Sequence, residues 1–332
     1  MSKLQRILVG VLAVQLVIVA FVFWPRSNAS GATKPLLSEI KADDITSLTI
    51  HDNQGATVKL TKQGAAGQTS WVLADAGDFP ADTAKITPVL TKLAELKSDR
   101  PVAQTQASFK RLQVADDTFQ RRLDIETSGG ANRTLFVGSS GGGQSAYVRV
   151  GDQNDVYLVT GFAAWDFNAT PASWIDTAYM KVAAADVLGL TLSNANGQFS
   201  FSKDDKGAWT MNGLTAPNQL DANQITALVN EVTSLQMTQP LGKTEDTSYG
   251  LAQPLALVTL KAKSADAEKT ITLSIGAKDA TDNTYVVKSS ESPYYVRVAE
   301  SGVKDLVEKK QEGFLQPTPT PAAAVPTATP TP

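Results

Sequence analysis

One histidine and no cysteine set narrow limits on what this 332-residue chain can catalyse. Without cysteine there is no thiol nucleophile, no Cys-based zinc site and no disulfide. His51 lies in "LTIHDNQG" (48–55), where a strand runs into a turn, and Ser193 takes its place in the similar stretch "LTLSNANG" (190–197). A hydrolase triad around His51 needs a nucleophile on a sharp strand-to-helix turn, and the G-x-S-x-G match "GSSGG" (138–142) sits between two strands instead, so it is no nucleophile elbow. His51 is therefore expected to be a histidine of a surface turn. The glycine-rich "GSSGGGQS" (138–145) lacks the Gly-Lys-Ser/Thr ending of a phosphate loop, so it reads as a hairpin loop. "DATDN" (279–283) and "GDQNDV" (151–156) offer oxygen ligands but not the spacing of an EF-hand, so both read as solvated turns. No catalytic, cofactor-binding or metal-ligating residues are expected, and the chain is not expected to be an enzyme.

The tryptophans are the better site candidates. Trp165 and Trp174, with the neighbouring Asp166 and Asp176, lie in "AAWDFNATPASWIDT" (163–177). They are candidate partner or interdomain contacts: either they pack two domains together, or they form a platform for a partner or a sugar ring, since aromatics are enriched at interfaces. Trp71 and Trp209 recur at equivalent places, which predicts a shared role as large core residues.

That recurrence is one sign of a duplicated chain. "TLFVG" (134–138) and "TLSIG" (272–276) are 138 positions apart, and "AYVRV" (146–150) meets "TYVVK" (284–288) at the same offset. "DTAKITPVLTKLAELKSDRPV" (82–102) meets "DANQITALVNEVTSLQMTQPL" (221–241) with one residue more. So long a period predicts domain-sized units rather than solenoid coils. In each copy alternating strands are followed by a helix. Its apolar face is Ile86, Val89, Leu90, Leu93 and Leu96 in the first, and Ile225, Leu228, Val229, Val232 and Leu235 in the second. Asp82 and Asp221 stand where an N-cap carboxylate belongs, and Pro88 predicts either a later start or a kink in the first helix. More strands follow without βαβ alternation. The expected fold is α+β: two tandem homologous domains, each a largely antiparallel sheet with one long amphipathic helix.

Outside the repeats, "ILVGVLAVQLVIVAFVFW" (7–24) has no charge, and Lys3 and Arg6 precede it. As a helix it would be about 27 Å long, close to the thickness of a hydrocarbon core. The positive-inside tendency puts the N-terminus in the cytoplasm and the rest of the chain outside. A cleaved signal peptide is the rival, but its apolar region usually runs to about 15 residues at most. The tail "QPTPTPAAAVPTATPTP" (316–332) should be a solvated, disordered segment, with a glycosylated stalk or an envelope tether as the functional alternative. The expected organisation is a cytoplasmic N-terminus (1–6), a transmembrane anchor (7–24), a linker (25–35), repeat domains over 36–178 and 179–315, and the tail. A net charge of −3, with no Lys/Arg cluster, argues against a nucleic-acid partner.

The strand-then-Trp opening, "YGLAQP" (249–254), the "LFVG" and "LSIG" segments read as turns, the strands after them and the "SWIDT" joint (173–177) together resemble domain-of-unknown-function family 4340. The resemblance covers roughly residues 36–315. The first copy departs from it at "FKRLQVAD" (109–116), which lacks the Gly and Pro of "YGLAQP". The resemblance implies a single-pass membrane protein with repeated extracytoplasmic domains, often encoded beside ABC-transporter components and gliding-type auxiliary proteins. It brings no catalytic residues. The expected function is a non-catalytic interaction or scaffold module at the cell membrane, serving membrane-protein partners of an ABC-type transport or envelope complex. The alternative is an extracytoplasmic ligand-binding protein, for glycans among others, with the domain joint as its cleft.

Overall fold

The computed structural model describes Gln15 and residues 34–37, 40–64, 69–98, 100–264 and 267–317. The expected transmembrane anchor lies outside these residues but for Gln15, and so does most of the Pro/Thr tail. Among the described residues no helix is long and apolar enough to cross a membrane.

Along the chain, β1 (Lys34–Pro35) precedes β2 (Ile45–Asp52), β3 (Thr57–Gln63), β4 (Ser70–Leu73) and β5 (Phe79–Pro80). Helix α1 (Thr83–Ala94), β6 (Lys97–Ser98), α2 (Gln106–Leu112), and the short strands β7 (Val114–Ala115) and β8 (Thr118–Phe119) follow. Next come β9 (Arg121–Thr127), β10 (Asn132–Ser140), β11 (Ser145–Val150) and β12 (Val156–Thr160). The series then resumes with β13 (Val187–Asn194), β14 (Gly197–Lys203), β15 (Trp209–Met211) and α3 (Ala222–Thr233). It ends with β16 (Met237–Gly242), β17 (Ala256–Ser264), β18 (Ala267–Asp279), β19 (Thr284–Ser289), β20 (Tyr295–Ala299) and α4 (Lys304–Glu308).

Two large antiparallel sheets dominate, and helices are few. One sheet has the order β12-β11-β10-β9-β2-β3-β4-β5, the other β15-β14-β13-β17-β18-β19-β20-β16. Taken from β4, the first runs β4-β3-β2-β9-β10-β11-β12, and seven strands of the second follow the same order from β15 to β20. The likeness extends to burial. β2 and β13 show one pattern, with Ile45, Leu48 and Ile50 buried in one and Val187, Leu190 and Leu192 in the other. Period-two alternation puts Leu48 with Ile50, and Leu190 with Leu192, on one covered face, and a register shift separates each pair from Ile45 or Val187.

Contact density divides the chain into two compact units, Met1–Thr57 with Thr87–Asn168, and Val58–Ile86 with Ala169–Pro332. These are drawn differently from the halves 36–178 and 179–315, because residues 58–86 and 169–178 group with the second unit.

The two helices follow their apolar patterns. All five expected apolar positions of each are buried. The Asp82 carboxylate accepts the Ala84 N–H at 2.9 Å, and that of Asp221 accepts the Asn223 N–H at 2.9 Å, each satisfying one orphan donor of a first turn. Pro88 does not delay the start of α1, which begins at Thr83 and runs on past the proline. The ring removes one helix hydrogen bond, and the burial of Ile86, Val89, Leu90 and Leu93 around it outweighs that loss.

Three sequence expectations are corrected. The glycines of "LFVG" and "LSIG" are not in turns: Gly138 is inside β10 and Gly276 inside β18. Each falls where its strand slips register against the next, between Val137 and Ser140 and between Ile275 and Lys278. A Cβ at Gly138 would lie 2.1 Å from the Leu112 carbonyl oxygen, and one at Gly276 would lie 2.1 Å from that of Tyr249. Both glycines are thus required by a crossing backbone at a bulge. The tryptophans also part company. Trp71 is 5% exposed, whereas Trp209 is half-buried on a short end strand with the Lys203 ammonium 5.1 Å from its ring centre. Finally, His51 belongs to β2 itself rather than to the turn after it.

Candidate functional site

The four candidates from the tryptophan-rich joint fall in different compact units. Trp165 and Asp166 are in the first, on a 3-10 turn (Ala164–Asp166), and Trp174 and Asp176 are in the second.

Trp174 is 3% exposed and ends a second 3-10 turn, Pro171–Trp174. Its carbonyl accepts the Asp82 N–H at 2.7 Å, and the next carbonyl, of Ile175, accepts the Lys85 ammonium at 2.6 Å. Both bonds go to the start of α1, so this stretch completes a helix cap. Asp176 accepts the Ala178 N–H at 3.0 Å, and Lys181 stands 3.5 Å away. The Ala178 N–H, with Lys181 and Lys85, holds the Asp176 carboxyl below the usual carboxylate range. Asp176 lines a groove of about 390 Å³ with Phe79, Tyr179 and Tyr294 among others. The Tyr179 hydroxyl is committed there: it donates to the Tyr294 carbonyl at 2.8 Å and accepts from the Ser289 N–H at 2.9 Å.

Trp165 is the opposite case, with 59% of its surface exposed. Its turn is held from both sides. The Asp166 carboxylate accepts the Ala163 N–H at 3.1 Å and pairs with Lys92 at 2.8 Å. Buried Phe162 and Phe167 flank the turn with ring centres 4.9 Å apart. Arg121 donates to the Phe167 carbonyl at 2.6 Å and to the Gln120 carbonyl at 2.7 Å, which ties the turn to the start of β9. The exposed indole is therefore presented by a fixed backbone. It lines a pocket of about 320 Å³ with Gln113, Gln120, Gly138, Ser139, Ser140 and Ser145. Here the glycine-rich loop contributes: its first residues belong to β10, and its last, Ser145, opens β11.

Sequence reasoning missed Gln113, Gln120 and Arg121, because nothing in their local pattern distinguishes them from ordinary polar residues. It also missed Arg149, which is only 4% exposed. This guanidinium lies 4.9 Å from the Phe109 ring centre and 4.6 Å from that of Phe136. It donates to the carbonyls of Val114 (2.7 Å) and Gly151 (2.9 Å) and to Asp116 (2.7 Å). Helix α2 and the β7–β8 hairpin pack over Phe136 with it, and their core includes Phe109, Leu112 and Val114. This cap occupies the stretch where the first copy departs from "YGLAQP".

His51 has partners that its sequence did not suggest. Its Nδ1 is 2.9 Å from the Thr57 hydroxyl and its Nε2 is 3.2 Å from Asp124. A hydroxyl, an imidazole and a carboxylate in line could form a proton relay. The carboxylate, however, is shared. Asp124 also pairs with Arg122 at 2.9 Å and accepts the Thr134 hydroxyl at 2.7 Å. His51 pairs across strands with Arg122, and Asp124 with both Thr49 and Thr134, so these contacts lace β2, β9 and β10 together. The nearby pocket of about 410 Å³ has Arg122 and Thr134 among its walls, with Asp116, Arg133 and Asp152, but neither His51 nor Thr57. Among the described residues no cluster of three or more His, Asp or Glu side chains could hold a metal ion.

The architecture is that of an α+β protein of two antiparallel sheets. The sequence model of a family described as a domain of unknown function, DUF4340, matches residues 71–254. That is more than half of the chain, and the chain belongs to this family. The match begins at Trp71 and ends with the proline of "YGLAQP". No curated protein and no solved structure matches the chain.

Proposed function

We propose that the protein is a non-catalytic interaction or scaffold module, anchored by residues 7–24 in the cell membrane with its bulk outside the cytoplasm. It would serve membrane-protein partners of an ABC-type transport or cell-envelope complex, without a cofactor and without nucleic acid. Residues 36–178 and 179–315 would be its two tandem homologous domains.

The observation that carries this reading is which residues the two sheets have in common. The equivalent positions that match are architectural: Gly138 and Gly276 under a crossing backbone, Asp82 and Asp221 as helix caps, and two Lys–Trp cross-strand pairs, Lys62 with Trp71 and Lys203 with Trp209. The positions with chemical potential do not match. By strand pairing, His51, Arg122 and Asp124 correspond to Ser193, Leu257 and Thr259. A duplicated frame that keeps its packing devices and varies its polar groups suits a platform better than a duplicated active site. Leu257 also leaves an apolar side chain partly open to water on the second sheet, and Leu255 is exposed beside it.

Photo-crosslinking from Leu255 and Leu257 on the full chain in intact cells, followed by identification of what is captured, tests the proposal. The expected result is the recurrent capture of an integral membrane subunit of a transport or envelope complex. Loss of cellular function in His51→Ala, with the fold intact and capture unchanged, would replace the scaffold with a catalyst.

A further inference from the structure

The Trp165 pocket lies wholly within the first compact unit, and of the matched positions named above only Gly138 is among its walls. Its walls carry no charged group: glutamine, serine, glycine, alanine and the indole make them up. The pocket at Arg122 and Arg133 is, by contrast, lined with both signs of charge. A charged ligand entering the Trp165 pocket would lose its hydration without gaining an ion pair.

The polar groups present are matched to a neutral ligand. Gln120 donates its amide to the Gln113 side-chain oxygen at 2.9 Å. Two amides joined head to tail leave one NH2 and one oxygen unspent, whichever way round they are assigned, and neither has another partner among the described residues. An adjacent donor and acceptor fit neighbouring hydroxyls, each of which can both give and take a hydrogen bond. The Ser139 hydroxyl, spent at 3.3 Å on the Leu112 carbonyl, can still accept. Beside this polar wall stands a flat, exposed and rigidly mounted indole. Its face carries the negative end of the ring quadrupole and attracts weakly positive C–H groups.

The backbone supplies an independent sign. Gln113 follows α2 in the left-handed region, with φ 58° and ψ 45°. That position after a helix favours glycine, because a Cβ is strained there. A glutamine there carries that strain together with a side chain bonded to Gln120, and both residues line the pocket.

We infer that this pocket binds a neutral saccharide, one ring stacked on Trp165 and its vicinal hydroxyls bonded to the Gln113–Gln120 amide pair. This goes beyond the scaffold function, which needs no small ligand. In an extracytoplasmic setting it would let the module hold a glycan of the envelope while its other surfaces engage protein.

The test is binding of a glycan array by the full chain, followed by titration with maltose, cellobiose and diacetylchitobiose read by tryptophan fluorescence and calorimetry. At least one neutral saccharide is expected to bind saturably, and its uronic-acid counterpart to bind at least about tenfold more weakly. Trp165→Ala and Gln113→Gly should each weaken binding at least about tenfold, with the melting temperature of Gln113→Gly unchanged or raised because glycine relieves the left-handed strain. Absence of any neutral saccharide among the array hits would overturn the site, as would binding that survives Trp165→Ala. Loss of membrane-subunit capture in Trp165→Ala without any saccharide binding would assign the indole to the protein partner instead. Capture that persists in a variant defective in saccharide binding leaves the scaffold function standing and separates the two proposals.

Discussion

Gly138 and Gly276 show how much one missing methyl group can decide. Each lets a carbonyl from a crossing segment come within 2.1 Å of where a Cβ would stand, and a carbonyl is backbone that cannot rotate aside. Gly138→Ala should push the Leu112 segment off β10 and unsettle the cap over Phe136, whereas Gly276→Ala should displace Tyr249 from β18. Each substitution is expected to cost about 1–3 kcal/mol, the usual range for overpacking. Chemical denaturation of the two single variants measures it, and a cost near zero in both would show that the close approach is not needed. Arg149 illustrates a different residue-scale economy. Its charge is buried between two phenyl faces, but its N–H groups reach four oxygens, the carbonyls of Val114, Gly151 and Gln153 and the Asp116 carboxylate, which offsets the desolvation. A lysine could not reproduce that fork of donors.

Among the elements, α3 carries a titration that should be visible in stability. Glu231 is half-buried on this helix, and burial, helped by the nearby charge of Asp305, pushes its carboxyl up to about 7, with Lys309 opposing. Lys309 is itself engaged by Asp305 and Gln224, each at 3.0 Å. In the unfolded chain the carboxyl titrates near its ordinary 4.5, so its contribution is fully present below that pH and is lost as pH rises through 7. Glu231→Gln should therefore raise the melting temperature at pH 8 and change it little at pH 5. Water reaches this side chain, and screening reduces the effect to on the order of 1 kcal/mol, or about 2–4 °C in a domain of this size. Melting curves of the two proteins at both pH values check the difference, and equal shifts at pH 5 and pH 8 would remove Glu231 as the cause. The first helix offers no such group at the matching position, since Lys92 there is paired with Asp166.

For the whole molecule, the prediction concerns topology. With residues 7–24 as an uncleaved anchor, the protein should remain in the membrane fraction at high salt and alkaline pH. Protease added to intact cells, or to spheroplasts where a wall or outer membrane intervenes, should digest the chain from residue 36 onward. A soluble form starting near Ala32 would identify the segment as a cleaved signal. The alternating strands, the two capped helices, the antiparallel α+β class and the family were all legible in the sequence, because each rests on local periodicity or on short matching stretches.

The roles of single residues were another matter. "TLFVG" and "TLSIG" look like strands stopping at a glycine, and only the crossing of Leu112 and Tyr249 makes those glycines interior. Trp71 and Trp209 are the same residue at matched positions, yet one is buried and one is half-open, because burial depends on what lies across the strand and not on the strand itself. Trp165 and Trp174 stand nine positions apart in one short joint, and the chain turns one into a buried cap and the other into an exposed platform. Gln113 and Gln120 could not be found as a pair at all until α2 and the β7–β8 hairpin brought their amides to 2.9 Å. Period and propensity act over a few residues, and so they specify each strand and helix one by one. Exposure, close approach and the pairing of distant polar groups arise between elements, and only the tertiary structure decided them.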